Sequence, residues 1–146
     1  MKPILIIEDS VDDFEATERA LTRDGGLFNP IRHCTTGQEA LDYLSSATDA
    51  DDLPAIILLD LNMPGLDGRA VLARIKSDAK LKEIPVVVLT TSNKETDLND
   101  CYRNGANTFV VKPVEISEFF SAIKRLKEYW FRVAILPRGE RDAESA

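Results

Sequence analysis

The sequence predicts an α/β fold, an open and doubly wound sheet of five parallel strands in the order 2-1-3-4-5. Short apolar runs alternate along the chain with segments whose apolar residues recur at helical spacing, which is typical of strand–helix units in a parallel sheet. Four of the five runs are nearly continuous in apolar residues, as expected for strands covered on both faces. With right-handed crossovers, this strand order is one of two common solutions.

The expected strands are short, and the second is the most polar of them. Its composition is that of an edge strand, where one side of the backbone faces solvent. The expected strands cover residues 3–7, 30–34, 55–59, 85–89 and 108–111.

Three helix starts carry a hydroxyl side chain followed three residues later by an acidic one. This spacing is that of a capping box, which satisfies free N–H groups in the first helical turn. The pairs are Ser10 with Asp13, Thr36 with Glu39, and Ser92 with Glu95. The fourth helix is expected to end at Gly105, in a left-handed conformation.

The third and fifth helices show a core face, because their apolar residues recur three or four positions apart. We expect this face to be buried in both helices. The residues are Val71, Leu72 and Ile75 after Asp67-Gly68 in the third helix, and Ile116, Phe119, Phe120 and Ile123 in the fifth.

Length and composition indicate one globular domain without nucleic-acid contacts. The chain has 146 residues and a formal net charge of −7, and its basic residues form no cluster that could follow a phosphate backbone. No signal segment opens the chain and no run reaches the length of a membrane span, so a cytoplasmic protein with no membrane contact is expected. Cys34 and Cys101 lack the spacing of a metal or redox motif and are expected as structural thiols.

Polar side chains follow four of the expected strands at the point where each strand ends. Glu8 and Asp9 follow the first strand, Asp60 the third, Thr90 the fourth and Lys112 the fifth. The carboxyl ends of parallel strands meet at one edge of an open sheet, and ligands bind in the crevice there. These side chains are therefore expected to lie together.

A divalent cation is expected among these side chains. Three clustered carboxylates repel one another, and each raises the pKa of the others unless positive charge compensates them. Oxygen ligands favour a hard cation, and Mg²⁺ suits a site with few carboxylates better than Ca²⁺ does. Mg²⁺ and Lys112 together would balance the charge of Glu8, Asp9 and Asp60.

Four short segments resemble the receiver domain of two-component response regulators, which has a flavodoxin-like (βα)5 fold. They are Ile-Ile-Glu-Asp-Ser at residues 6–10, Leu-Asp-Leu-Asn-Met-Pro-Gly-Leu-Asp-Gly at 59–68, Leu-Thr-Thr-Ser at 89–92 and Val-Lys-Pro at 111–113. Each segment alone is weak, but the four occur in order and each lies at a strand end. The resemblance covers residues 1–128, which are taken as the receiver domain.

The resemblance implies roles for the clustered residues. Asp60 would be the phosphoacceptor, and Glu8 and Asp9 would be the acidic pair that binds Mg²⁺. Asn62 would be a further metal ligand through its carbonyl. Such a domain promotes its own phosphorylation and dephosphorylation and is not otherwise expected to be an enzyme.

Further roles concern the phosphoryl group after transfer. Thr90 and Lys112 would contact it, and the movement of Thr90 would allow Phe109 to rotate inward as the switch. Asn62 and Ser92 would tune dephosphorylation. The resemblance also implies a cis peptide bond between Lys112 and Pro113.

Residues 129–146 form an apolar arm followed by a polar tail, with disorder expected from residue 138 onward. The surplus apolar surface at Tyr129, Trp130 and Phe131 suggests a homodimer contact, although the arm could instead fold back on its own domain. By resemblance, the chain is similar to stand-alone regulators paired with bacterial phytochrome kinases. His33, the only histidine, is expected to pack or lie at the surface, so the sensor histidine kinase or phosphotransfer protein would be another chain.

Each of these interpretations has an alternative. Glu8-Asp9 could be an acidic helix start, Asp60 and Asn62 could cap the following loop, and Lys112, Thr90 and Phe109 could be ordinary strand residues. At the level of function, the alternatives are a receiver-like interaction module that works without phosphorylation and a phosphotransferase of the haloacid-dehalogenase type. The latter class requires an acid two residues after its nucleophile, where this chain has Asn62.

Overall fold

Five parallel strands form one sheet in the order β2-β1-β3-β4-β5 in the computed structural model, which describes residues 1–23 and 27–137. The strands are β1 (Ile4–Ile7), β2 (Ile31–Cys34), β3 (Ile56–Leu59), β4 (Val86–Thr90) and β5 (Thr108–Val111). All neighbouring pairs are parallel. The predicted fold class and strand order are confirmed, and the strand bounds agree to within one residue.

In the described part of the chain, five α-helices connect and follow the strands. They are α1 (Val11–Thr22), α2 (Gly37–Ser46), α3 (Gly68–Ser77), α4 (Glu95–Arg103) and α5 (Ile116–Glu128). A 3₁₀ turn, Ala50–Asp52, lies in the acidic loop before β3, and a π-helical turn, Tyr129–Val133, continues α5. Within the described ranges, no helix combines the length and the apolar character that crossing a membrane requires.

Alternate residues of the strands belong to two apolar layers, one on each face of the sheet. Leu5 and Ile7 pack in a cluster with residues of α2 and α3, whereas Ile4 and Ile6 pack with residues of α1 and α5. Because apolar layers cover both faces of the sheet, polar side chains are accommodated only beyond the ends of the strands. The polar residues that follow the strands therefore lie together at the carboxyl edge of the sheet.

Two of the predicted helix caps are confirmed. Ser10 Oγ accepts a hydrogen bond from Asp13 N, and Thr36 Oγ1 accepts one from Glu39 N. Helix α4 also ends as expected, since Gly105 has φ of 99° and the N–H of the next residue, Ala106, donates to Cys101 O.

The third cap prediction is wrong, and so are two smaller expectations. Helix α4 begins after Lys94 without a side-chain cap, because Ser92 Oγ is bonded to Asp97 instead. Ile116 is exposed because it starts α5 beyond the core, whereas Phe119 and Ile123 are buried. The bond between Lys112 and Pro113 is trans, the isomer that X–Pro bonds intrinsically favour.

The apolar arm is divided between the core and the surface. Trp130 and Phe131 pack against the apolar layer formed with α1 and α5. Tyr129, Val133 and Ile135 remain exposed. Trp130 and Phe131 therefore fold back on their own domain, which was the alternative to a homodimer contact. The polar tail expected from residue 138 onward lies outside the described residues.

Candidate functional site

The site lies at the carboxyl ends of the strands. Backbone hydrogen bonds that extend the sheet fix the positions of Asp60 and Lys112. Asp60 N donates to Ile7 O at 3.0 Å, and Lys112 N donates to Thr90 O at 2.7 Å. These bonds continue the β1–β3 and β4–β5 pairings by one step. Asp60 and Lys112 are thus fixed beside the ends of neighbouring strands.

The three predicted carboxylates come together. One oxygen each from Glu8, Asp9 and Asp60 lies within 4.8 Å of the others. Glu8 and Asp60 are buried, whereas Asp9 is exposed at the mouth of the cluster. This set of oxygen donors, with one open side, suits a hard divalent cation that keeps part of its water shell.

Lys112 extends into the same cluster as a buried ammonium. Its Nζ lies 2.5 Å from Glu8 Oε1, 2.8 Å from Asp13 Oδ2 and 3.5 Å from Asp60 Oδ2. Only 5% of the lysine side chain is exposed. The ammonium is therefore shared by three carboxylates, and Asp60 is the most distant of them.

The cluster contains more carboxylates than positive charges. Burial raises the pKa of Glu8 to about 7, although the Lys112 ammonium acts in the opposite direction. Burial alone would lower the pKa of Lys112, but hydrogen bonds to Asp13 and Glu8 outweigh it and the pKa is raised. One ammonium does not compensate the buried acids, so the donor set fits an additional cation.

Thr90 and Asn62 face one another across the end of β4. The fully buried Thr90 accepts hydrogen bonds at Oγ1 from Asn62 Nδ2 and from Ser92 N, both at 3.3 Å. Asn62 Nδ2 also lies 3.4 Å from Thr91 Oγ1, and Asn62 N donates to Asp60 Oδ1 at 3.2 Å. Asn62 thus connects the loop after β3 with the loop after β4.

Phe109 lies half-buried on β5 and packs against the apolar layer formed with α2 and α3. Its N–H donates to Tyr102 Oη of α4 at 3.1 Å. The predicted switch position is therefore in contact with α4 through its backbone and with the core through its ring.

A glycine allows α3 to begin directly against Asp60. Gly68 N donates to Leu61 O at 3.0 Å, and a Cβ at residue 68 would overlap the backbone of Asp60 and Leu61. In the same loop Gly65 has φ of 74°, which favours glycine. The loop from Asp60 to Gly68 is thus held tightly around the base of the acidic cluster.

Two residues of the site were missed from the sequence. Asp13 pairs with Lys112, and the available signal was its position four residues after Asp9, on the side of α1 that faces the site. His33 Nε2 donates to Glu8 O at 2.7 Å, and its ring stacks on Phe14 with centroids 3.7 Å apart. The packing role expected for His33 is confirmed, but its contact with the acidic pair had no sequence signal.

Comparisons with known proteins agree with this architecture. The family model of the response regulator receiver domain matches residues 4–124. Response regulator Rcp1 of Synechocystis sp. is 34% identical over 138 residues, which make up 93% of this chain and 93% of Rcp1.

Solved structures give the same result. The phosphorylated cyanobacterial phytochrome response regulator RcpA has a TM-score of 0.87 at 38% identity, over 94% of this chain and 99% of RcpA. The Mn²⁺-bound form of Rcp1 has a TM-score of 0.87 at 33% identity, over 94% and 100% of the two chains. Because the family match spans the whole sheet and most of its helices, this chain belongs to the response regulator receiver domain family.

Proposed function

We propose that this chain is a stand-alone response regulator that accepts a phosphoryl group on Asp60 from a sensor histidine kinase, in a Mg²⁺-dependent reaction. The observation that carries the proposal is the placement of Asp60. Its buried carboxylate has an oxygen within 4.8 Å of oxygens of Glu8 and Asp9, and its Oδ2 lies 3.5 Å from the ammonium of Lys112.

Phosphoryl transfer requires a nucleophile and neutralisation of the charge on the transferring oxygens. An Asp60 oxygen forms a bond to phosphorus as the bond to the donor breaks, and the donor group leaves with the electron pair. Lys112 and the hydroxyl of Thr90 stabilise the phosphoryl oxygens. Since an acyl phosphate or phosphohistidine donor is already reactive, this chemistry needs no general base, and the domain is not an enzyme beyond its own modification.

Glu8, Asp9 and Asp60 would hold Mg²⁺, together with a carbonyl of Asn62. The Asn62 amide nitrogen contacts Thr90 and Thr91, which holds the residue beside the acidic cluster. The bound cation supplies positive charge for the buried acids and for the phosphoryl oxygens. The Mn²⁺-bound form of Rcp1 supports a divalent cation in a relative of this fold.

Thr90 and Phe109 would change position in response to the phosphoryl group on Asp60. Thr90 moves toward the new oxygens, and Phe109 follows through packing because it has no hydroxyl. Phe109→Ala is expected to leave labelling of Asp60 intact while removing the difference in partner affinity between the two states. Asn62 and Ser92, at the edge of the site, would set the phosphoryl lifetime.

The proposed partners are a kinase and a second copy of the chain. The receiver family implies a histidine kinase as phosphodonor, and the similarity to the phytochrome response regulator RcpA supports a phytochrome kinase. Their encounter would take place in the cytoplasm. The exposed Tyr129, Val133 and Ile135 support a homodimer contact beside the packed Trp130 and Phe131. Truncation after Glu128 should then yield a monomer by sedimentation, and a wild-type mass independent of concentration at the monomer value would contradict the dimer.

The decisive experiment is incubation with acetyl phosphate and Mg²⁺, followed by intact mass measurement. Wild type should gain one phosphoryl group, and Asp60→Asn should gain none. Equal masses before and after incubation of wild type would favour a module that works without phosphorylation. Repeated hydrolysis of phosphate esters would favour an enzyme of the haloacid-dehalogenase type.

A further inference from the structure

A second ionic cluster joins three elements near the Asp60 site. Asp97 of α4 accepts hydrogen bonds from Arg69 of α3 at both oxygens, from Nε at 2.9 Å and from Nη2 at 2.8 Å. Ser92 Oγ, in the loop between β4 and α4, donates to Asp97 Oδ2 at 2.5 Å. We call this set of Arg69, Asp97 and Ser92 the clamp.

Burial of Asp97 and hydrogen bonds to Arg69 hold the clamp in place. Only 7% of Asp97 is exposed, and the hydrogen bonds from Arg69 and Ser92 lower its pKa to about 2. Arg69 is anchored in turn by Asp67, whose Oδ1 accepts from Arg69 N at 2.8 Å. A guanidinium paired with a carboxylate through two parallel bonds is both strong and geometrically specific.

The clamp is connected to Thr90 by a short path. Ser92 N donates to Thr90 Oγ1, the hydroxyl that also accepts from Asn62. Thr90 can therefore reach a group on Asp60 only if these bonds are rearranged. Since Ser92 is fixed by Asp97, the clamp opposes that rearrangement.

Helix α4 depends on the same contact. Its N-terminus has no side-chain cap, and its two buried side chains are Asp97 and Cys101. The Arg69–Asp97 pair thus fastens the first turn of α4 to the start of α3. On the other side, Gly68, which precedes Arg69, lies against the backbone of Asp60.

We propose that the clamp is a regulatory positioning device, which holds the β4–α4 loop and the Thr90 hydroxyl in the arrangement of the unmodified protein. Asp97 and Arg69 are positioning residues, because they act through Ser92 and not on the phosphoryl group. The regulatory part rests on the proposed function of Asp60. Breaking the clamp raises the fraction of molecules in which Thr90 is free to move, and it raises the affinity for a phosphoryl analogue by the same factor.

The test uses Arg69→Gln, Asp97→Asn and the double variant in the full chain. Each single variant should bind beryllium trifluoride with Mg²⁺ about threefold or more tightly than wild type, and the double variant should add little. In the unmodified protein, hydrogen exchange at residues 91–98 should accelerate by about threefold or more. Arg69→Lys, which keeps the charge but loses the fork of two bonds, should lie between wild type and Arg69→Gln.

Helix α4 supplies a matched control. Arg103 and Asp100 form an exposed pair at 3.0 Å on the same helix, so Arg103→Gln and Asp100→Asn repeat the chemical changes away from the clamp. These variants should match wild type in both measurements. Circular dichroism establishes that each variant is folded, and Arg69→Lys decides the question if Arg69→Gln fails to fold.

The outcomes separate this proposal from the assignment of Asp60. Unchanged hydrogen exchange at residues 91–98 in folded clamp variants, or unchanged or weaker analogue binding, overturns the clamp. If wild type neither binds the analogue nor becomes labelled, the proposed function fails, and hydrogen exchange in the unmodified protein still decides whether the clamp holds the loop.

Discussion

The two ionic clusters of this domain each pair a basic side chain with carboxylates, yet the pKa of the central acid shifts in opposite directions. Around Lys112, burial dominates and raises the pKa of Glu8 to about 7. Around Arg69, hydrogen bonds dominate and lower the pKa of Asp97 to about 2. Burial outweighs the ammonium at Glu8, because Lys112 is shared with Asp13 and Asp60. At Asp97 the hydrogen bonds outweigh burial, because Arg69 gives each carboxylate oxygen a donor and Ser92 adds another.

This contrast distinguishes a binding site from a structural contact. The Lys112 cluster keeps carboxylate oxygens that are not compensated, and it gains from a further cation. The Arg69 cluster is complete within the chain, since guanidinium, carboxylate and hydroxyl satisfy one another. The raised pKa of Glu8, at a strand end, therefore indicates a cation-binding site. The lowered pKa of Asp97 indicates a structural ion pair beside that site.

Among the variants of the two clusters, Lys112→Met should have the largest effect on phosphorylation. Without the ammonium, the phosphoryl oxygens lose the stabilisation that Lys112 would provide, and labelling of Asp60 by acetyl phosphate should slow by about 100-fold. Intact mass measured over time gives the rate. Lys124→Met, at an exposed lysine of α5, should label at the wild-type rate. Labelling of Lys112→Met near the wild-type rate would remove the lysine from the mechanism.

Glu8→Gln tests whether the first cluster is uncompensated. The folded protein holds the Glu8 proton more tightly than the unfolded chain does, because its pKa is raised from 4.5 to about 7. In metal-free wild type, stability should therefore decline as the pH rises through this window. The variant lacks the decline and should be about 1 kcal/mol more stable near pH 8, after allowance for the partner Lys112.

Urea denaturation with a chelator, at a series of pH values, measures this difference. Glu15→Gln, at an exposed acid of α1, should follow the wild-type curve. Addition of Mg²⁺ should stabilise wild type and have less effect on Glu8→Gln. A wild-type stability that rises between about pH 5 and 7 would contradict the assigned direction of the Glu8 pKa.

The fold and the acids of the first cluster could be predicted because each depends on a local pattern. Continuous apolar runs locate the strands, and a polar residue after such a run can only lie at the carboxyl edge. Glu8, Asp60 and Lys112 therefore meet without any contiguity in sequence. The second cluster has no such pattern, because Arg69 and Asp97 are separated by 28 positions and each is typical of a helix surface.

The failed expectations have the same origin. Ser92 precedes Glu95 at capping spacing, but a buried carboxylate from the next turn competes for its hydroxyl. Ile116 has core periodicity, yet it lies at the first turn of α5, where 59% of it is exposed. Periodicity identifies the face of a helix and does not show how far the neighbouring layer extends. For the same reason the sequence of the arm did not show that Trp130 and Phe131 would cover their own core.

Asp97→Asn tests the second cluster through acid stability. The lowered pKa means that the folded protein binds this proton less tightly than the unfolded chain does, so the contribution is present at neutral pH and is lost as the pH falls from about 4 toward 2. The variant should lose about 1 kcal/mol at pH 7, a value reduced for solvent at the partly exposed Arg69. Urea denaturation should show the two proteins converging in acid, while Asp100→Asn follows wild type throughout. A constant difference across this pH range would show that packing, and not the ion pair, accounts for the loss.

Asp13→Asn should have the smallest effect and show how Lys112 is shared. Asp13 holds the ammonium at 2.8 Å while Asp60 lies 3.5 Å away, so removing the Asp13 charge leaves Lys112 freer to approach a phosphoryl group on Asp60. Labelling by acetyl phosphate should accelerate by about twofold to threefold, since a partly exposed pair contributes little. Asp12→Asn makes the same change in net charge at the neighbouring exposed position and should have no effect. Equal acceleration in both variants would mean that net charge near the site, and not competition for the lysine, controls the rate.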